Sequence, residues 1–125
     1  MFAYQSASVS LIPKQGSADT VIAYNMNSTS RPSQRLLVFV PNPASVGIYT
    51  KSITNLYPNA HWLEREITEM FNYAFALKRD TRNLLLQYGD SSAPFLKLFP
   101  TSGVRELLYN PVRDSVDQRT TSLHN

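Results

Sequence analysis

The sequence predicts an α+β domain, a small mixed sheet packed with short helices, followed by an extended C-terminal segment. Three observations carry that expectation. The first forty residues alternate apolar and polar or run apolar, as strands do; residues 60–73 repeat their apolar positions at helical spacing; and residues 94–100 are bracketed by prolines. At 125 residues and 42% hydrophobic content the chain fits one domain, in which folding buries about two-thirds of the chain's surface. The division expected is an α+β domain over residues 1–90, with strands in 1–40 and helices in 52–89, and an extended segment over 91–125.

In order along the chain, Val9 and Leu11 alternate with serines, the period of a half-buried strand. A turn follows at "KQGSAD", then "TVIAYNM" and "RLLVFV" as neighbouring strands separated by the loop "NSTSRPSQ". Residues 36–40 are continuously apolar, which places that strand centrally in the sheet, and "PNP" ends it because proline cannot donate to a ladder. "KSITNLYP" reads as a short helix capped by Ser52 and stopped by Pro58. Asn59 is the cap expected for the helix "AHWLEREITEMFN". Asp80 caps one or two further turns carrying Leu84 and Leu85, ended by Gly89. "APFLKLFP" is held extended by its prolines, "VRELLY" forms a last strand, and the polar tail "RDSVDQRTTSLHN" is irregular.

Composition excludes several functions. The chain has no cysteine, so thiol catalysis, disulfides and iron–sulfur ligation are absent from it, and its two histidines, His61 and His124, stand far apart. Four bases against one acid in residues 1–60, and eight against eight in residues 61–125, give the net charge of +3 a thin distribution unlike a nucleic-acid footprint. No run approaches the roughly 18 apolar residues of a membrane span, and the start reads as mature protein rather than a targeting segment. Four glycines provide no phosphate-cradling loop, and neither a nucleophile elbow nor a Ser/His/Asp set is present.

On a wheel of about 100° per residue, Leu63, Ile67, Met70 and Phe71 are read as the apolar arc, with Trp62, Glu66 and Tyr73 beside it. Glu64 and Glu69 are read as marginal, and Arg65 as lying opposite, in an i,i+4 pair with Glu69. On that reading Glu66 needs a partner, either Arg82 or Arg105 in a structural ion pair, or else a role as a catalytic acid or base. Exchanging Glu66 for Gln is then expected to cost more than the same exchange at Glu64 or Glu69. "E-x-x-E" at Glu66 and Glu69 lacks the second helix and the histidines of a two-metal carboxylate site. His61 is expected to be exposed or to partner a neighbouring side chain. What remains is an interaction protein, or, from another class, a small stand-alone enzyme using Glu66 and Glu69.

The stretch "SITNLYPNAHWLEREITEMF" resembles the signature of the C-type, thirty-kilodalton subunit of respiratory NADH:quinone oxidoreductase (complex I), matching at Ser52, Leu56, Tyr57, Pro58, Ala60, Trp62, Glu64, Arg65, Glu66, Glu69, Met70 and Phe71. "RDTRNLLLQYG" is similar to the family's next motif at Asp80, Arg82, Leu85, Tyr88 and Gly89, and "PFLKLFPTSG" to a third at Pro94, Phe95, Lys97, Phe99, Pro100 and Gly103. The resemblance is clear over residues 52–109 and looser before. Lys78 and Arg79 stand where the family has His and Pro, Leu96 and Leu98 where it has charged residues, and Asn83 where it has arginine. The family's leading helical portion has no counterpart, so the chain reads as a shortened, divergent member, and its sparse acids, Tyr- and Asn-rich composition and short length point to a mitochondrial one.

The resemblance implies a subunit without chemistry of its own, in the peripheral arm on the matrix side of the mitochondrial inner membrane. NADH, FMN, iron–sulfur clusters and ubiquinone would be bound by neighbouring subunits. Its C-terminal extension would wrap the quinone-site, forty-nine-kilodalton-type subunit, with other peripheral-arm subunits beside it. Trp62, Glu64, Arg65, Glu66, Glu69, Arg82, Phe95, Lys97 and Phe99 are the candidates for interface contacts or structural ion pairs. A C-like component of a membrane-bound hydrogenase or related dehydrogenase is the nearest alternative. Phe95, Leu96, Leu98 and Phe99 are expected to find cover on the partner.

Overall fold

In the computed structural model the described residues are 4–13, 20–31, 33–42 and 49–122. Three strands, β1 (Tyr4–Pro13), β2 (Thr20–Ser28) and β3 (Arg35–Asn42), form an antiparallel sheet in the order β1-β2-β3. One helix, α1 (Ala60–Phe71), follows, and a second antiparallel pair, β4 (Arg105–Asn110) and β5 (Ser115–Thr120), closes the chain. The α+β class is as expected, with antiparallel sheets and a single helix among the described residues.

Register fixes which side of the sheet is core. Tyr24 pairs with Val38 and with Val9, and Ile22 with Val40 and Leu11, so β2 lies centrally. Ile22, Tyr24 and Met26 alternate onto the inner face, where they meet Ile67 of the helix and Tyr73 and Phe75 beyond it. Val38, Val40, Ile53, Tyr57 and Phe71 flank this cluster. The expectation that residues 36–40 occupy the middle of the sheet is overturned: among the described residues β3 pairs with β2 alone. Its continuous apolar run is buried on one side only, for Leu37 and Phe39 face outward and are more than half exposed. A run of apolar residues records composition, not coverage of both faces.

The helix begins after Pro58 and runs without glycine or proline to Asn72, whose left-handed backbone (φ 52°, ψ 43°) stops it. Asn59 has right-handed helical backbone (φ -63°, ψ -22°) rather than the extended geometry of a cap. The chain on either side of the helix is laced together: Ser52 N donates to Ala76 O at 3.0 Å and Ala76 N to Thr50 O at 2.9 Å, around a parallel bridge of Lys51 with Ala76. That lacing carries Lys78 back over the helix start.

Four local expectations are corrected. Residues 52–58 make one turn, with Leu56 N and Tyr57 N both donating to Ile53 O, and no helix. Asp80 caps no helical turn: residues 80–83 are irregular, 84–86 bend and 88–89 turn, in a loop held by bonds to the helix. Residues 93–100 are consecutive turns, Leu96 N to Ala93 O and Phe99 N to Leu96 O, instead of an extended run. The tail is not irregular, because Ser115–Thr120 pairs with the expected strand at 105–110. At residues 80–89 local propensity yielded to bonds with the helix, whereas the turns at 52–58 and 93–100 and the β4–β5 pair are closed by residues near in sequence.

Candidate functional site

The helix is enclosed on two sides, and this decides the fate of its charged residues. Ala60, Glu64, Ile67 and Phe71 are spaced four, three and four residues apart, the stripe that faces the core. Glu64 is therefore inside, with 0% exposure, rather than marginal. Its Oε2 accepts from Ser52 Oγ at 2.5 Å and from Lys78 Nζ at 3.0 Å, and its Oε1 accepts from Ile53 N at 2.9 Å. Lys78 has a side chain only 1% exposed; it also donates to His61 O at 3.3 Å and lies 5.8 Å from the centre of the Phe75 ring. A carboxylate and an ammonium thus leave water together, each with further hydrogen bonds, as a buried pair requires.

Tyr24 lies near this pair, 2% exposed, its hydroxyl without a hydrogen-bond partner among the described residues. Burial first, and then the Glu64 carboxylate, push its ionisation well above the usual tyrosine range. Tyr73, also buried, shares a 2.8 Å hydrogen bond with Thr50.

The opposite side of the helix is covered by the loop that follows. Arg65 donates from Nε to Arg82 O and from Nη2 to Asn83 O, both at 3.0 Å. One turn on, Glu69 accepts from three successive backbone amides: Leu84 N (3.0 Å) and Leu86 N (3.1 Å) on Oε2, and Leu85 N (2.8 Å) on Oε1. Both side chains are buried. The expected Arg65–Glu69 pair on an outer face is replaced by a cation on carbonyls and an anion on amides, which together fasten the loop to the helix. Asn83 Nδ2 then donates to Gln87 O at 2.9 Å and Asp90 O at 3.3 Å, tightening the loop on itself.

Glu66, expected to be the costly carboxylate of the helix, is only half-buried and makes no hydrogen bond or ion pair with the described residues. Arg82 pairs instead with Asp80, Nε to Oδ1 at 3.1 Å and Nη2 to Oδ2 at 2.9 Å. Those hydrogen bonds, with one from Arg82 N, hold the Asp80 carboxyl far below the usual carboxylate range. His61 Nε2 stands 3.4 Å from the same carboxylate, the partnered alternative of the two expected for it. Trp62 is 65% exposed.

Phe95 anchors the start of the last segment. Its N–H donates to Met70 O at 3.1 Å, satisfying a helix-end carbonyl, and its ring meets Phe71 edge-on at 5.4 Å. Beyond it Lys97 and Leu98 are exposed, Leu98 by 96%. The β4–β5 pair packs against no other strand or helix among the described residues, and its Leu107, Tyr109 and Val116 are all more than 60% exposed. No three His, Asp or Glu residues among those described converge as metal ligands.

Comparison with known proteins bears on this arrangement. The profile of the respiratory-chain NADH dehydrogenase 30 Kd subunit family matches residues 3–105. This chain belongs to that family. The 30 Kd family relatives include NADH-ubiquinone oxidoreductase subunit 9 of Paramecium primaurelia, 56% identical over 59 residues, which are 47% of this chain and 28% of that protein. The same protein of Paramecium tetraurelia is 52% identical over 64 residues, 51% of this chain and 31% of that one. The C subunit of the NADH-quinone oxidoreductase of Novosphingobium aromaticivorans is 37% identical over 89 residues, 71% and 28% of the two chains. The chain spans about a third of the length of these relatives.

Within the 30 Kd family signature, then, Glu64, Arg65 and Glu69 are internal fasteners, and Trp62 faces out. Two partners of the fasteners have roles that local sequence does not signal. Ser52 stands where a helix cap is expected but serves Glu64 instead, and Lys78, a departure from the family pattern, is buried against the same carboxylate.

Proposed function

We propose that this chain is a non-catalytic subunit of the peripheral arm of NADH:ubiquinone oxidoreductase, scaffolding the quinone-site subunit while neighbours carry electrons from NADH to ubiquinone coupled to proton translocation. Family membership and the names of the Paramecium and Novosphingobium relatives support the assignment. The structural observation that carries it is the β4–β5 pair. A two-stranded ribbon is marginal in water by itself, yet this one exposes Leu107, Tyr109 and Val116 and rests on no other strand or helix among the described residues. Leu98 and Val112, each more than 90% exposed, extend the apolar surface. Such a surface suits a neighbouring chain, which this reading takes to be the forty-nine-kilodalton-type subunit.

On this reading the chain holds no flavin, cluster or quinone ligand, and it sits at the mitochondrial inner membrane on the matrix side, kept there by its partners. No helix among the described residues is long and apolar enough to cross a membrane. A stand-alone carboxylate enzyme is disfavoured because Glu69 is committed to backbone amides, leaving Glu66 without its intended companion.

The test is native electrophoresis of solubilised membranes carrying the tagged chain, with Leu107→Ser and Tyr109→Ser variants. The unsubstituted chain should co-migrate with a large NADH-oxidising assembly, and the double variant should be largely lost from it. Migration of the unsubstituted chain alone, at 14.1 kDa, refutes the proposal.

A further inference from the structure

Beside the helix start lies a cleft of about 430 Å³ whose walls include Pro58, His61, Trp62, Lys78, Arg79 and Asp80. Its charges are unequally satisfied. Lys78 is neutralised by Glu64. Asp80 is held by Arg82 and faces His61. Arg79 is exposed and, among the described residues, has neither an ion pair nor a hydrogen bond; the same holds for the indole of Trp62. The cleft therefore combines one uncompensated cation with an open aromatic wall and a proline.

We infer that this cleft docks an acidic, extended segment of a neighbouring subunit, which sets a carboxylate on Arg79 and an apolar or proline side chain against Trp62. Tryptophan and arginine are the residue types that dominate interface energetics, and a guanidinium binds a carboxylate through two parallel hydrogen bonds. An anionic membrane surface is the weaker occupant, since it selects several clustered bases, whereas this cleft offers one free base beside an aromatic wall. The fastening of Glu64 to Lys78 gives the site its shape: it pulls the residue before Arg79 inward and leaves Arg79 at the rim. The inference rests on the subunit reading above and assigns a second contact, separate from the β4–β5 pair.

The experiment uses the intact assembly. A photoreactive residue replaces Asn55, which lines the cleft and is exposed, and oxidative footprinting reads Trp62 in the assembly and in the isolated chain. The expected result is an adduct with an Asp- or Glu-containing stretch of another subunit and strong protection of Trp62 on assembly. Retention of the chain in the purified assembly across rising salt should fall about 30-fold for Trp62→Ala and about tenfold for Arg79→Glu, as loss of a central aromatic and reversal of a paired charge dictate. Arg35→Glu, an exposed base on β3, should behave as the unsubstituted chain. Adducts confined to lipid or to the chain itself, or equal oxidation of Trp62 in both states, overturn the inference while leaving the subunit reading intact. Absence of the chain from any assembly overturns both.

Discussion

Exchanging Glu64 for Gln separates the structure's account of the helix from the one its sequence suggests. Glu64 has no exposure, and the Lys78 side chain that it neutralises is 1% exposed. Glutamine keeps an acceptor for Ile53 N but removes the charge, leaving an ammonium buried beside Phe75. Breaking a buried pair in this way costs about 3–5 kcal/mol, a large share of the ~5–15 kcal/mol that holds a domain folded. Lys78→Met should cost as much, for the mirror reason. The Glu64→Leu, Lys78→Met double variant should recover most of the loss, because no unpaired charge remains. Its residual deficit of about 1–3 kcal/mol reflects the orphaned donors of Ile53 and Ser52. Glu66→Gln, at a half-buried position with no partner among the described residues, should stay within ~0.5 kcal/mol. Urea unfolding followed by circular dichroism measures all four, with unchanged slopes licensing the comparison. Should Glu66→Gln match Glu64→Gln, or the double variant be no more stable than Lys78→Met alone, the buried-pair argument is wrong.

Other expectations concern the loop, the acid limb and the buried phenol. Glu69→Ala removes the acceptor for three amides, so hydrogen exchange at Leu84, Leu85 and Leu86 should accelerate selectively, with a stability loss of about 1–3 kcal/mol; slow exchange at all three would show that the loop holds itself. Asp80 is bound more favourably as the anion in the folded chain, so its contribution is complete above the ordinary value of 3.8 and fades as pH falls through the lowered folded value. Asp80→Asn should therefore lower stability at neutral pH, converge with the unsubstituted chain in acid and so flatten that acid limb, as a pH series of melting temperatures would reveal. Tyr24→Phe deletes a hydroxyl that is buried without a partner, so it should be neutral or stabilising near pH 7. Since folding raises the Tyr24 ionisation, stability is full below about pH 10 and declines above it; the phenylalanine variant should resist alkaline unfolding better, and a marked loss at neutral pH would reveal a bond to the hydroxyl.

The fold class was legible from period alone: alternating residues over β2 and the apolar spacing of the helix are local, and they survive in the structure. The family was legible too, because a dozen signature positions keep their spacing between Ser52 and Phe71. Even Glu64 could have been placed, since Ala60, Glu64, Ile67 and Phe71 share one stripe. The weight given to Glu66 came from assigning it to the arc of its apolar neighbours. What the sequence could not decide is what covers the helix's other side. Arg65 and Glu69 lie off the stripe of Ala60, Glu64, Ile67 and Phe71, and they are buried because residues 82–86 lie across them. The burial of Lys78 depends likewise on the lacing of Lys51 to Ala76, and the tail's strand on its pairing with β4. Periodicity reports one element's own faces, whereas the desolvation of a charge depends on which distant segment arrives with the hydrogen bonds to offset it.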